Sequence, residues 1–141
     1  MSTEELAARV LNVLLVEAPA AAAMLMTRPL RRHGFALRVT RVETGGEMMA
    51  ALHDGTLLDV VLADYKLPNF SGPAALQLLK RSGLDIPFIM MSGAISEETA
   101  VDSMRAGAHD YVAKQNLTRL VPAVERELKE ASGRRNKLAA E

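Results

Sequence analysis

Short, mostly apolar runs alternate along the chain with longer segments whose apolar residues recur at helical spacing. Runs this apolar are typical of strands buried on both faces, as in parallel sheets covered by helices. The alternation therefore predicts an α/β domain with a parallel sheet between two layers of helices. We predict five helices and five strands, the strands at Asn12–Glu17, Ala36–Val42, Leu58–Ala63, Ile86–Met91 and Asp110–Ala113.

Residues that favour helix ends mark where the predicted helices begin and stop. Pro19 suits the first position of the first helix, and Gly34 is expected to stop that helix after about His33. A small polar residue precedes each of the next three helices and predicts a side-chain cap. These residues are Thr44, which forms a capping box with Glu47, then Ser71 and Ser96.

The last predicted helix has one apolar stripe and a charged end. The stripe contains Leu117, Leu120, Val121, Val124 and Leu128. From Arg126 to Glu141 large apolar residues become rare, and Gly133 weakens helix continuation. We therefore expect a frayed helix end after Arg126. Residues 132–141 are expected to be a charged tail or the start of a linker, and residues 1–11 an N-terminal extension.

Polar side chains stand at the ends of four of the predicted strands. Asp64, Ser92 and Lys114 each close an apolar run, and Glu17 closes the first. The carboxyl ends of parallel strands meet at one edge of a sheet, where ligands of open α/β sheets bind. A carboxylate, a hydroxyl and an ammonium at one edge can accept a phosphoryl group, because the carboxylate attacks phosphorus while the other groups offset its charge.

Composition narrows the class of protein. The chain has 141 residues and no cysteine, which indicates one domain without disulfides or thiolate metal sites. Lys plus Arg equals Asp plus Glu at 17 each, so overall charge does not favour nucleic acid or an anionic membrane as a partner. No apolar run reaches the ~20 residues of a membrane span, and the first residues do not resemble a signal peptide. We expect a cytoplasmic location.

Three motifs in chain order resemble the receiver domains of two-component response regulators. They are Asp64 in Asp-Tyr-Lys-Leu-Pro-Asn-Phe-Ser-Gly, Ser92 in Met-Ser-Gly-Ala and Lys114 in Asp-Tyr-Val-Ala-Lys. The resemblance covers roughly Asn12 to Leu128 and implies a receiver domain at residues 12–131. It implies a flavodoxin-like, doubly wound sheet with strand order 2-1-3-4-5, and a signalling protein rather than an enzyme.

The resemblance also implies roles and partners. Asp64 would receive a phosphoryl group from a histidine kinase or phosphotransfer protein, with Ser92 and Lys114 binding the phosphoryl oxygens. Tyr111 would be the aromatic switch residue, turning inward when Ser92 moves. The fourth helix, fifth strand and fifth helix would form the face that responds, through which two copies can pair.

A Mg²⁺ ion would complete such a site, because it prefers oxygen ligands from carboxylates, carbonyls, waters and phosphate. The expected protein ligands are Asp64, Glu17 and the backbone carbonyl of Lys66. Receivers have two adjacent acids after the first strand, but here Ala18 follows Glu17. We therefore expect weak Mg²⁺ binding and impaired Mg²⁺-dependent chemistry.

Two other functions fit parts of the pattern. A pseudo-receiver would signal by protein contact without phosphorylation, which the missing acid at position 18 favours. An aspartate-nucleophile phosphatase also uses an aspartate after a strand, but it needs a second aspartate two positions later, where this chain has Lys66. Taken singly, Asp64, Ser92 and Lys114 could each be an ordinary turn or surface residue; their joint placement favours the receiver site.

Overall fold

The computed structural model describes residues 9–93 and 96–140, which form one five-stranded parallel sheet. Its strands lie in the order β2-β1-β3-β4-β5, which confirms the expected doubly wound topology. The register pairs Val13 with Val60 and Val61 with Phe88. The strands are β1 (Val10–Val16), β2 (Ala36–Val42), β3 (Val60–Asp64), β4 (Phe88–Ser92) and β5 (Asp110–Ala113).

Five α-helices connect and cover the strands, as predicted. They are α1 (Ala20–His33), α2 (Gly45–His53), α3 (Gly72–Ser82), α4 (Glu97–Arg105) and α5 (Leu120–Ala140), with a 3-10 helix at Lys114–Arg119 before α5. Among the described residues, no helix combines the length and the apolar character needed to cross a membrane.

The sheet has an apolar core on each face. One core contains residues of α2 and α3, including Met48, Leu76 and Leu79, together with Tyr111 of β5. The other contains residues of α1 and α5, among them Leu30 and Val124. Because both faces are covered, the central strands expose their side chains to neither side and can be almost wholly apolar.

The predicted capping residues form the expected bonds. The side chains of Thr44, Ser71 and Ser96 each accept a hydrogen bond from the backbone N–H three residues later. The Glu47 carboxylate completes the capping box by accepting from the backbone N–H of Glu43, one residue earlier than the usual partner. Gly34 ends α1 in the left-handed region, with φ of 112°, a conformation that favours glycine because it has no Cβ.

Several element boundaries differ from the sequence prediction. β1 begins at Val10 rather than Asn12, because the pairing with β2 extends to Ala36. β4 begins at Phe88 rather than Ile86 and includes Ser92. Pro19 does not occupy the first helical position; its extended ψ of 133° makes it the residue before the helix.

The end of the chain is the largest difference in secondary structure. α5 begins at Leu120, after the 3-10 helix that contains Leu117, and continues through Gly133 to Ala140. The frayed end expected after Arg126 is therefore wrong for the described residues. Buried Ala131 and the bond between Arg134 and Asp85 hold this part of the helix on the domain.

Candidate phosphoryl-acceptor site

Four elements bring polar side chains to the carboxyl edge of the sheet. Asp64 and Ser92 are the last residues of β3 and β4, Glu17 follows β1 and Lys114 follows β5. A cavity of about 500 Å³ opens at this edge. It is lined by Asp64, Tyr65, Lys66, Ser92, Gly93, Ser96, Thr99 and Lys114. The structure thus brings together the side chains that the sequence analysis selected.

The Lys114 ammonium joins the two carboxylates of the site. Its Nζ lies 2.8 Å from Oε2 of Glu17 and 2.8 Å from Oδ2 of Asp64. The Glu17 side chain is almost completely buried, at 2% exposure, whereas the Asp64 side chain is 14% exposed. Asp64 can therefore be reached from the cavity, while Glu17 is confined to the interior side of the ammonium.

Burial and ion pairing shift the pKa values of this group. Burial raises the pKa of Glu17 above its ordinary value, although the hydrogen bond from Lys114 opposes the shift. Burial alone would lower the pKa of Lys114, but hydrogen bonds to Asp64 and Glu17 outweigh it and raise this pKa. Lys114 therefore stays charged at neutral pH and supplies a fixed positive charge beside Asp64.

The loop after Asp64 is held close to the strand ends. The Gly72 N–H donates to the Tyr65 carbonyl at 3.0 Å, and Lys66 pairs with Ser71 in a short antiparallel bridge. A Cβ on Gly72 would lie 2.9 Å from the Asp64 carbonyl oxygen and 2.2 Å from Sδ of Met90. A glycine is required here because α3 starts directly against the end of β3.

Arg41 of β2 holds the loop that carries Glu17, a contact that the sequence analysis missed. Its guanidinium donates to the Glu17 carbonyl oxygen at 3.2 Å, to the Ala18 carbonyl and to the Glu43 carboxylate. The helix start at Pro19 has no side-chain cap, and Arg41 instead holds the loop before the helix through its bonds to carbonyl oxygens. Nothing in the local sequence around Arg41 marks it for this contact, because β2 and the loop meet only in the folded sheet.

Ser92 and Tyr111 lie on neighbouring strands. Ser92 is buried and lines the cavity. Tyr111 is 8% exposed and packs inward with the core on the α2 and α3 face. Among the described residues its hydroxyl is buried without a hydrogen-bond partner, an arrangement that costs about 1–3 kcal/mol. A rearrangement that gave this hydroxyl a partner would recover part of that cost.

The residues at this edge do not fit a dedicated Mg²⁺ site. Mg²⁺ demands near-octahedral oxygen coordination, but both carboxylates already bind the Lys114 ammonium, and Ala18 contributes no side-chain oxygen. Oε1 of Glu17 also accepts the Ala18 N–H at 3.0 Å. Across residues 9–93 and 96–140, no three His, Cys, Asp or Glu side chains are grouped so as to hold a metal ion.

The sequence of this chain is similar to a known protein family and to known proteins. The family model described as the response regulator receiver domain matches residues 13–125. The cell cycle transcriptional regulator CtrA of Caulobacter vibrioides is 30% identical over 104 residues, which cover 74% of this chain and 44% of CtrA. The DNA-binding transcriptional regulator NtrC of Salmonella typhimurium is 35% identical over 94 residues, which cover 66% of this chain and 20% of NtrC.

Solved structures of other proteins have a similar fold. The signal receiver domain of a putative LuxO repressor protein from Vibrio parahaemolyticus has a TM-score of 0.73 at 27% identity, covering 86% of this chain and 92% of that one. NtrX from Brucella abortus in complex with ADP has a TM-score of 0.79 at 26% identity, covering 92% of this chain and 30% of NtrX. The chain spans less than half the length of CtrA and NtrC.

Proposed function

The chain belongs to the response regulator receiver domain family, and from this premise we propose that Asp64 accepts a phosphoryl group. The observation that carries the proposal is the position of the Asp64 carboxylate, exposed to the cavity with the Lys114 ammonium 2.8 Å from one of its oxygens. The proposed donor is a histidine kinase or phosphotransfer protein. We propose residues 12–131 as the receiver unit, to which the start of β1 at Val10 and the continuation of α5 through Arg134 are joined.

The chemistry requires a nucleophile and compensation of charge. A carboxylate oxygen of Asp64 attacks phosphorus, and the transferring group develops charge on its oxygens. Lys114 offsets that charge, and the Ser92 hydroxyl donates a hydrogen bond to a phosphoryl oxygen. Both groups line the cavity that Asp64 faces, so the group transferred can contact them without movement of the sheet.

Receiver domains generally bind Mg²⁺, which supplies positive charge to the phosphoryl oxygens. In this chain the available donors are Asp64, Glu17 and the Lys66 carbonyl. Because both carboxylates bind Lys114 and position 18 is alanine, we propose that Mg²⁺ binds weakly and that Mg²⁺-dependent chemistry is impaired.

The proposed consequence of phosphorylation is a change in the face formed by α4, β5 and α5, here called the α4–β5–α5 face. Ser92, at the end of β4, lies between Asp64 and this face, and Tyr111 is part of the face because it belongs to β5. Movement of Ser92 toward the phosphoryl group changes the space beside Tyr111. The positions of these two side chains before and after phosphorylation are the two states of the switch.

Intact-protein mass spectrometry after incubation with acetyl phosphate and Mg²⁺ tests the proposed function. We expect one phosphoryl adduct on the wild-type chain and none on the Asp64→Asn variant, which keeps the shape of the side chain but removes the nucleophile. The same phosphoryl adduct, formed in equal yield on the variant, would place the acceptor at another residue.

A contact-only pseudo-receiver is the second candidate, favoured by the incomplete metal site. It predicts a folded protein that forms no adduct under any condition but still binds its partner. Circular dichroism of the same sample separates this outcome from loss of the fold.

A further inference from the structure

We propose that Lys114 and Lys66 together supply the positive charge of the acceptor site, so that Asp64 is phosphorylated without a divalent cation. This inference rests on the proposed function and deepens it, because it assigns the charge that the poor metal site lacks. The first supporting observation is that the Lys114 ammonium already lies between the two carboxylates, 2.8 Å from each.

Lys66 provides the second cation. It lines the same cavity as Asp64 and Lys114, and its backbone N–H donates to Oδ1 of Asp64 at 3.4 Å. Within the described part of the chain its ammonium has no hydrogen-bond or ion-pair partner. A lysine ammonium on a flexible stem can turn three donors toward an anion, so Lys66 is available to a phosphoryl group on Asp64.

Ala18 makes this arrangement electrostatically reasonable. A phosphoryl group brings about two negative charges, and two ammonium groups offset them. Glu17 then leaves at most one uncompensated negative charge. An acid at position 18 would add another in the same space, and a divalent cation would be needed to offset it. The missing acid at position 18 and the second lysine, Lys66, therefore both reduce the need for a divalent cation.

The transfer step balances without a metal. One Asp64 carboxylate oxygen forms a bond to the phosphorus of acetyl phosphate, and the phosphorus–oxygen bond to acetate breaks with its electron pair remaining on acetate. The Asp64 carboxylate and the acetyl phosphate dianion become an acyl phosphate dianion on Asp64 and an acetate ion. No proton, electron or further reactant is consumed.

The first test measures the rate of adduct formation by intact-protein mass spectrometry in excess EDTA and in Mg²⁺. We expect wild-type rates within about twofold of each other, and no adduct on Asp64→Asn in either buffer. An adduct that forms only with Mg²⁺ overturns the inference but leaves the proposed function standing. No adduct in either buffer overturns both.

Variants of Lys66, measured in EDTA, test whether this residue is the second cation of the acceptor site. Lys66→Gln is expected to slow the reaction about tenfold, because charge-assisted hydrogen bonds to the phosphoryl oxygens are lost. Lys66→Arg should retain most of the rate. Lys129→Gln on the exposed side of α5 makes the same change in net charge and should react like the wild type. A Lys66→Gln rate equal to that of the wild type would overturn the role of Lys66.

Ala18→Asp tests the charge argument. This variant is expected to react about tenfold more slowly than the wild type in EDTA and to recover on addition of Mg²⁺. Titration calorimetry should show Mg²⁺ binding that is at least about tenfold tighter than in the wild type. A variant that behaves like the wild type in both measurements would show that position 18 does not decide the metal requirement, and the inference would fail.

Discussion

Glu127 is a buried carboxylate on α5 that takes no part in the proposed chemistry. Its side chain is 3% exposed, and the nearest cation is Nε of Arg126 at 3.9 Å. Burial, reinforced by Glu130, raises its pKa above the ordinary value of 4.5, although Arg126 opposes the shift. An acid with a raised pKa in the folded state stabilises the fold most below its ordinary pKa, and that contribution is lost as pH rises through the folded pKa.

We therefore predict that Glu127→Gln stabilises the protein near pH 8 and has little effect near pH 4. The expected gain near pH 8 is about 1 kcal/mol, a common size for the effect of one substitution at a buried position. Urea unfolding followed by circular dichroism measures it. Glu130→Gln, on the exposed side of the same helix, should change stability by less than about 0.5 kcal/mol. A Glu127→Gln variant less stable at every pH would indicate that the carboxylate makes bonds worth more than its burial costs.

Arg41 gives a second prediction at the residue scale. Arg41→Ala removes the bonds to the Glu17 and Ala18 carbonyls and should lower the free energy of unfolding by about 1 kcal/mol. Amide hydrogen exchange should also accelerate at Ala18, whose N–H is held by the Glu17 carboxylate. Arg38→Ala on the same strand, where the side chain is exposed, is the control. Equal exchange in both variants would mean that Arg41 does not order the loop.

The residues differ in how far the sequence could predict them. Asp64 and Lys114 were predictable because each ends an apolar run, and parallel strands place such ends together. The contact of Lys114 with Glu17 as well as Asp64 was not predictable, because the direction of a long lysine side chain depends on the folded packing. Glu127 was missed for a related reason: a charged residue on a surface helix is expected to be solvated, and only the packing of α5 shows it buried.

At the scale of elements, two glycines in or next to helices, Gly34 and Gly133, have opposite roles. Gly34 ends α1 with φ of 112°, whereas Gly133 lies within α5 at an ordinary φ. A Cβ built on either glycine meets no atom within 4 Å. The two positions therefore differ in backbone conformation and not in available space.

We predict opposite signs for the same substitution at these positions. Gly133→Ala should stabilise the protein by up to about 1 kcal/mol, because alanine has the higher helix propensity. Gly34→Ala should destabilise it by about 1 kcal/mol, because the left-handed region is strained for alanine. Thermal unfolding and helix content by circular dichroism measure both. A Gly133→Ala variant with unchanged helix content and stability would contradict a continuous helix through residue 133.

The element predictions failed where local propensity and tertiary contacts disagree. Gly133 lowers helix propensity, and the sequence alone indicates fraying after Arg126. The bond between Arg134 and Asp85, whose residues lie far apart in the sequence, is visible only in the fold. By contrast, caps are local, so Ser71 and Ser96 could be read from three or four neighbouring residues.

At the scale of the whole molecule, helices on both faces of the sheet were predictable because apolar strands need cover on both faces, whereas the strand order was implied by the resemblance to receiver domains. The sequence could not show which part of the surface stays uncovered and can change on phosphorylation. On the α4–β5–α5 face, Val101 and Met104 are 41% and 45% exposed, and Arg119 of the segment before α5 pairs with Asp110 at 3.5 Å. An apolar area beside charged residues is suited to pairing of two copies.

If phosphorylation at Asp64 favours pairing through this face, the association should depend both on the phosphoryl group and on these apolar side chains. We predict that acetyl phosphate shifts the wild-type chain toward a dimer in sedimentation velocity, and that Val101→Lys or Met104→Lys weakens the dimer by at least about tenfold through burial of a charge. Met24→Lys introduces the same charge on α1, where the side chain is 68% exposed, and should leave the dimer intact. A dimer that Met24→Lys disrupts and Met104→Lys does not would place the interface on α1. If protein that carries the Asp64 adduct has the same association state as the unmodified protein, phosphorylation does not control pairing. A phosphoryl group shifts the equilibrium between monomer and dimer only if it stabilises one of these states more than the other.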